Sequence, residues 1–543
     1  MQDHPNNNSL GATTMRRRTF LAGTAVSAAA GIAAPALASG ASKKVLKFVP
    51  DVDLVSLDPV WTTSYQTRDF GYMVYDTLYG QNAAFEPTPQ MAAGHVVEDN
   101  GKTWKITLRD GLKFHNGEKV LARDAVASIK RWSARDGFGQ SVAAVTNEMS
   151  APDDKTILIK LKNPFPLLPT ALCKISPSMC PIMPQHLAET DPYKQVTEAI
   201  GSGPYRWLAN ERVAGVRAVW ERNPDYVPIS SGTPEWTSGP KIAKFDRIEW
   251  HIIQDPSTAM AALQTGEVDW WYTPNADLLP VLQKSKGVAT PIVVPTGTIA
   301  TMRFNQLLPP FDNPAIRRAI VHAVTQSDYM IAVNGTNRHL WRDGVGFFCP
   351  KTPMASSAGM ENLTSKRDLG AVKRAIEKAG YKGEKVVFLA PMNIASTKAL
   401  AEVTGALLPK LGLNLDFQAM DWGTLLLRRA KMEPIDQGGW SIFQTSWSGL
   451  DQLNPAVHVF LRGNGKQAIT GWPTAPKIEA LRNEWMAATT LAAQKEIARK
   501  IQLQAFIDVP YIPLGQSLTP TACRSDLKGM LQGLPIFWNV ERA

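Results

Sequence analysis

Apolar residues recur along this chain at two different spacings, in alternation and without an internal repeat. Trp104-Lys105-Ile106-Thr107-Leu108 and Ile157-Leu158-Ile159-Lys160-Leu161 alternate apolar with polar side chains, the period of a strand with one buried face. Turn chemistry separates such segments at Asp99-Asn100-Gly101, Asp110-Gly111, Asn116-Gly117 and Pro152-Asp153-Asp154. Elsewhere the spacing is helical. Asn313 and Pro314 lead into Ile316, Ala319, Ile320 and Ala323, an apolar face behind an N-cap and a first-turn proline. Asp368 to Ala379 predicts a second helix stopped by Gly380, and Glu484 to Asp508 a long third. The helix after Pro256 should stop at Gly266, ahead of a strand. The interleaved periods predict a mixed α/β protein.

Residues 1–38 are set aside before any fold is argued, because they have the layout of a targeting segment. Arg16-Arg17-Arg18-Thr19-Phe20-Leu21 precedes a mildly apolar run from Ala22 to Pro35, and Ala36-Leu37-Ala38 offers a small-residue cleavage site. Arg17 and Arg18, with x-Phe-Leu behind them, resemble the twin-arginine export signal, whose machinery carries folded proteins. A membrane anchor needs about 18 apolar residues, and Gly23, Gly31 and Pro35 argue against one. No cysteine near Ala38 could take a lipid. The expectation is a periplasmic protein cut after Ala38 and free in solution. No later stretch approaches membrane-spanning length without charge or proline, which excludes a permease subunit.

The residues that remain, 44% hydrophobic and 20% charged over the whole chain, are too many for one core and imply two or three domains. The formal charge is +10, of which residues 1–38 contribute +2 through three arginines and Asp3, leaving +8. Lys and Arg are scattered without a run of five, so the balance describes a solvated surface and not a nucleic-acid site. Four cysteines are few for a disulfide scaffold. Cys173 and Cys180 are near enough in sequence to pair; the alternative is unpaired buried thiols. Glycine and proline are spread evenly, so composition marks no linker.

Short motifs follow in a fixed order. Ser56-Leu57-Asp58-Pro59 is followed by Tyr75-Asp76-Thr77-Leu78-Tyr79, Pro89-x-Met91-Ala92, Gly101-Lys102-Thr103-Trp104 and the run from Leu108 to Gly117. Ala122-Arg123-Asp124-Ala125-Val126-x-Ser128, Gly201-Ser202-Gly203-Pro204-Tyr205, Arg222-Asn223-Pro224-Asp225-Tyr226 and Ala262-Leu263-Gln264-x-Gly266-Glu267-Val268-Asp269 continue it. Phe304-Asn305 and Pro310-Phe311-Asp312-Asn313-Pro314-x-Ile316-Arg317-x-Ala319-Ile320 complete it. This ordered series resembles the family 5 bacterial extracellular solute-binding proteins, the group with dipeptide, oligopeptide and nickel-complex binders. Most of the motifs also have a structural reading. Leu108 to Gly117 reads as a strand end, a turn and a second strand. Gly201 and Gly203 read as a sharp turn that uses positive φ.

The resemblance implies a two-lobed periplasmic binding protein fold of class II type, with an inserted subdomain and an interlobe cleft. Carried over, 39–82 and 201–297 belong to lobe I, 83–200 is its inserted subdomain, 298–509 is lobe II, and 510–543 returns to lobe I. It also implies a monomer that delivers a small ligand or peptide to ABC permease subunits in the inner membrane.

Of 16 tryptophans, a later group, Trp422, Trp440, Trp447 and Trp472, could line a site closing over varied ligands or fill a core. The segment Trp440 to Pro455 resembles the stretch where peptide binders place the carboxylate that pairs the ligand α-amino group. Asp451 is the candidate here, with Trp447 and Trp440 as aromatic walls. The spacing differs by one residue and Asn454-Pro455 replaces Asp-Pro, which weakens the argument for a free peptide. Ser64 and Tyr65 fall near the implied cleft floor, as ligand contacts or loop caps. Asn305 either lines the cleft or fixes the hinge.

Histidines show no His-x-x-x-His or His-Glu-x-x-His spacing, so no metal site is expected; His458 is noted for its nearness to the Asp451 segment. No Walker, dinucleotide or Gly-x-Ser-x-Gly motif stands in its required setting, and no cofactor or catalytic residue is assigned. A twin-arginine-exported enzyme and a sensory partner of a membrane receptor are the rival readings.

Overall fold

Three sheets organise residues 44–543, which are the residues the computed structural model describes. Arg17, Arg18 and the cleavage site at Ala38 lie outside them. The first sheet has seven strands drawn from distant parts of the chain, in the order Val288–Ala289, Ala522–Arg524, Trp270–Trp271, Val45–Val49, Arg247–His251, Arg217–Arg222, Tyr205–Trp207. Val45–Val49 runs parallel to both neighbours, and the other pairs are antiparallel. Its Phe48 meets Trp270 at 5.1 Å and Phe537 at 5.0 Å between ring centroids. These aromatic contacts tie the first and last parts of the chain into one core.

The second sheet has six strands, in the order Trp341–Arg342, Ile512–Ser517, Thr298–Phe304, Ile442–Ser448, Lys385–Pro391, Asn414–Met420. A third, antiparallel sheet holds Ala92–Glu98, Thr103–Leu108, Thr156–Leu161 and Thr146–Ser150. The two segments of alternating apolar residues pair with each other in it, Trp104 opposite Ile159. Beyond Leu108 the expected second strand is reduced to one bridge between Lys113 and Lys119.

Helix ends follow the local chemistry. Asn313 accepts from the Ala315 N–H, with Pro314 as first residue of Pro314–Val321, and Asp368 caps Leu369–Lys378 by accepting from the Ala371 N–H. Gly266, at φ 79°, ends Pro256–Thr265. The long helix expected from Glu484 to Asp508 is two: Pro476–Ala487 and Leu491–Asp508. The second starts afresh because Thr490 accepts from the Ala493 N–H, which competes with helix continuation through the threonine pair Thr489-Thr490. Gly201 and Gly203 also differ from expectation. Neither has positive φ; a Cβ on Gly201 would lie 2.0 Å from the Val74 carbonyl oxygen, and one on Gly203 2.5 Å from that of Met73. Close backbone approach, not turn geometry, requires them.

Two connections join the first sheet to the second, and they run side by side. Thr298 pairs with Ser517, and the Gln516 side chain donates to the Thr296 carbonyl at 2.7 Å. Gly297 sits at φ 49°, where a Cβ would lie 2.0 Å from the Ser517 carbonyl oxygen. Grouped by sheet, the return connection therefore leaves after Ser517 and not near Val509, because Ile512–Ser517 is a strand of the second sheet.

Two motifs prove to be buried ion-pair anchors. Asp58 takes a bidentate contact from Arg131 at 2.8 and 3.2 Å and accepts the Val60 and Val196 N–H groups. Asp76 holds Lys241 at 2.6 Å and the Tyr226 hydroxyl at 2.9 Å. Such carboxylates can be buried only because each is both charge-paired and hydrogen-bonded. All four cysteines are buried and unpaired, so Cys173 and Cys180 stand as thiols.

Candidate functional site

The site is built where the first and second sheets face each other. Val45–Val49 and Trp270–Trp271 are adjacent parallel strands, and just past their carboxyl ends stand Asp51 and Tyr272. That is the position from which open α/β sheets present ligand-binding groups. The helix Tyr65–Val74 follows, buried along nearly all its length. Its charged residues must therefore be paired, and Arg68 donates Nε to Asp69 at 2.9 Å while NH2 lies 2.8 Å from the same carboxylate. Arg68 NH1 reaches the Ser176 hydroxyl at 3.4 Å, and the guanidinium lies 4.9 Å from the Tyr65 ring centre.

From the second sheet, the strand Ile442–Ser448 ends in the single turn Gly449–Gln452, started by Ser448 accepting from the Leu450 N–H. This turn delivers Asp451 to Tyr65. The Tyr65 hydroxyl donates to Asp451 Oδ2 at 2.6 Å and accepts from the Ser448 N–H at 3.1 Å. One phenol thus links the helix Tyr65–Val74 to the turn that follows a strand of the second sheet. Asp451 is 1% exposed, and its Oδ1 has no hydrogen-bond partner of normal geometry. Burial pushes the Asp451 carboxyl up, against the pull of the Tyr65 and Ser176 hydroxyls and the Arg68 and Lys174 charges. Burial and the facing carboxylate also push the Tyr65 phenol well above its usual range, so it remains the donor.

Beside this bond lies a cavity of about 160 Å³, whose lining includes Asp51, Tyr65, Arg68, Tyr272, Val294 and Ser448. Asp51 is open to it, yet it lies deep among protein atoms, and desolvation pushes its carboxyl up to about 6 against the opposing Arg68 charge and Gln66 side chain. A larger hollow of about 550 Å³ lies along the helix Ala122–Arg135, with Lys130, Met149 and Glu189 in its lining. No residue of the first or second sheet lines it, so it offers none of the groups that converge on the smaller cavity.

The sequence-derived candidates divide accordingly. Tyr65 and Asp451 come together across the two sheets. Ser64 is the N-cap residue of the Tyr65 helix; its hydroxyl donates to the Gln66 side chain at 3.0 Å instead of capping. Trp447 is half-buried and packs against Phe460 with ring centroids 4.6 Å apart and planes tilted by 51°. Trp440 is fully buried beside Trp472, with its indole N–H donated to the Arg429 and Lys431 carbonyls. No face of it is left for a ligand. Asn305 is likewise enclosed; its side chain donates to the Trp440 carbonyl and accepts the Leu307 N–H, which fixes a strand end. His458 contacts the Phe347 carbonyl and the Tyr511 hydroxyl, and burial pulls its pKa down to about 3. Asp51, Arg68, Asp69 and Tyr272 escaped sequence reasoning. Their signal was a carboxylate just past a strand and two adjacent charges in an otherwise uncharged helix, which means nothing until the strand order is known.

Comparison with known proteins follows the same lines. Residues 86–467 match the family described as bacterial extracellular solute-binding proteins, family 5, middle region. A probable peptide ABC transporter periplasmic-binding protein of Sinorhizobium fredii, y4tO, is 35% identical over 546 residues, 98% of this chain and 100% of that one. The glutathione-binding protein GsiB of Pectobacterium atrosepticum is 24% identical over 490 residues, 87% of this chain and 89% of its own. Among solved structures, AgaA of A. tumefaciens R10 in complex with agropinic acid superposes with a TM-score of 0.74 at 19% identity, covering 92% of this chain and 99% of that one. DppA of Helicobacter pylori in complex with the peptide STSA gives 0.74 at 21% identity, covering 92% and 98%. The two-lobed α/β fold of these proteins is the fold described above.

Proposed function

The chain belongs to the family 5 bacterial extracellular solute-binding proteins, and from that premise we propose that it captures a small peptide-like solute in the cavity between its two large sheets and delivers it to an ABC permease. The observation that carries this reading is the Tyr65–Asp451 hydrogen bond, which joins the helix Tyr65–Val74 to the turn after the second sheet's strand Ile442–Ser448, beside a cavity holding an open carboxylate. A solute seated there touches both sheets at once, so its binding energy favours their closed arrangement.

Peptide and glutathione are named for the relatives, which supports a solute with a primary amine. Asp451 is the group proposed to receive it: its carboxylate stands behind Tyr65, closed off from the cavity, and gains a charge-assisted contact when Tyr65 and Asp451 separate and an ammonium takes the place of the phenol. Trp447 supplies an aromatic edge near the same turn. The proposal includes twin-arginine export through Arg17 and Arg18, cleavage after Ala38, and action in the periplasm as an unanchored monomer with no catalytic role. Lobe I is assigned to residues 39–82 and 201–297 and the C-terminal tail, with 83–200 inserted and lobe II between. The membership of the first and second sheets supports that grouping, with the last boundary moved to about residue 518.

A thermal-shift screen of dipeptides, oligopeptides, opines and metal chelates tests the reading. A ligand at about 100 times its Kd should stabilise the protein by about 2.7 kcal/mol. Asp451→Asn should then weaken an amine-bearing ligand by about 2–5 kcal/mol, the cost typical of truncating a buried charge pair. Unchanged affinity would remove Asp451 from the site. Replacing Arg17 and Arg18 together by Lys should leave unprocessed precursor inside the cell, and normal processing would refute the twin-arginine route.

A further inference from the structure

Of the residues lining the 160 Å³ cavity, only Asp51 and Arg68 carry charge. Arg68 is already committed: Nε and NH2 contact Asp69, and NH1 contacts Ser176. An anionic group entering the cavity would have to compete with Asp69 for the guanidinium and accept Asp51 as a neighbour. Asp51 is placed differently. Among the described residues it forms no ion pair within 4.0 Å, and its side chain is open to the cavity while Asp69 and Asp451 are closed off. The acidic side chains around the cavity, Asp51, Asp69 and Asp451, thus outnumber the one arginine, while Lys174 is held by Asp136. The lining also carries two phenol rings, Tyr65 and Tyr272, surfaces that attract a cation. The volume is below the roughly 300–1,000 Å³ of pockets that enclose a whole drug-sized ligand. It suits one end of a solute, or a solute of amino-acid size.

Building on the reading of this cavity as the solute site, we infer that Asp51 is a second seat for positive charge, so that the solute bears an ammonium or guanidinium group besides the amine offered to Asp451. The Asp51 carboxylate, which has no ion-pair partner within 4.0 Å among the described residues, gains its counter-charge from the solute. A neutral group of the same size leaves it uncompensated, and that penalty supplies the discrimination.

Titration calorimetry at pH 7.5 with matched probes tests this: L-lysine against L-norleucine, L-arginine against L-citrulline, and glycyl-L-lysine against glycyl-L-norleucine. The expected result is at least one pair in which the charged member binds tenfold or more tightly than its neutral partner. In Asp51→Asn that ratio should fall towards one while affinity for the neutral member holds. Neutral members that bind as well in every pair, or a ratio that survives Asp51→Asn, overturn the inference. If only neutral or anionic solutes of the wider screen bind, the second seat falls and the solute-binding reading stands. If no solute of any charge binds, both fall. Should Asp51→Asn fail to fold, the wild-type ratios decide alone.

Discussion

Tyr65→Phe deletes a single oxygen and two contacts with it, the bond donated to Asp451 and the one accepted from the Ser448 N–H. Asp451 would then lose its hydrogen bond from the Tyr65 phenol and, of its two hydroxyl neighbours, keep only the pull of Ser176. Urea unfolding should report a loss of about 1–3 kcal/mol, the cost of orphaning buried polar groups, and no loss would mean the two sheets do not depend on this bond. Asp58 offers a sharper case at the same scale. Its removal strands Arg131 with 1% of its side chain exposed, so Asp58→Ala should cost about 3–5 kcal/mol. Asp58→Leu combined with Arg131→Met should cost less than Asp58→Ala alone, because the apolar pair leaves no uncompensated charge.

At the scale of elements, Gly297 holds the two connecting segments together. Its φ of 49° and the 2.0 Å approach to the Ser517 carbonyl leave no place for a methyl group. Gly297→Ala should lower the melting temperature and, because it separates Thr298 from Ser517, should alter solute affinity as well. A change in neither would show that the connections yield freely. Thr490→Ala should cost about 1 kcal/mol through loss of an N-cap. That cap also shows where sequence reading failed. The apolar spacing from Glu484 to Asp508 is helical throughout, and only the local competition at Thr490 splits it. By contrast, Asn313, Asp368 and Gly266 were legible because capping and stopping are local events. The strand pair around Trp104 and Ile159 was legible through its alternation. Asp51 was not, since its meaning depends on Val45–Val49 lying beside Trp270–Trp271, more than 200 residues apart, a fact no local pattern contains. Trp440 erred in the opposite direction: an aromatic near the proposed carboxylate is attractive in sequence, but this one stands ahead of the strand Ile442–Ser448 and is enclosed in a core with Leu389, Leu425, Phe443 and Trp472.

For the whole molecule, Asp51 couples folding to pH with a definite sign. Desolvation raises its carboxyl from 3.8 to about 6, so the folded chain holds that proton more tightly than the unfolded chain does. Its contribution is intact below 3.8 and is lost as pH rises towards 6. Arg68, Gln66 and the two tyrosines are present in Asp51→Asn as well, while Asp69, which burial pushes up to about 7 with the Asp51 charge adding to the rise, shifts in the same direction, so the comparison reports the two coupled carboxyls together. Without solute, the wild-type melting temperature should fall relative to Asp51→Asn between pH 4 and 6.5; a constant difference would contradict the assignment. Affinity for a cationic solute should run the other way, weakening as pH drops through 6, because only the ionised carboxylate supplies the counter-charge.

The four unpaired cysteines have a consequence for how such a chain would survive in the proposed periplasmic location. Burial pushes Cys173 and Cys349 up to about 12 and Cys523 up to about 11, so thiolate, the form that attacks disulfides, is scarce at neutral pH while the protein is folded. Opening exposes all four to an oxidising medium in which any pairing among them is non-native. Each unfolding event then becomes a chemical dead end and not a reversible excursion, and durability is governed by the rate of opening. The proposed twin-arginine route, which carries folded proteins, would suit a chain built this way. A thiol-specific reagent added to the native protein would therefore act as a clock for unfolding.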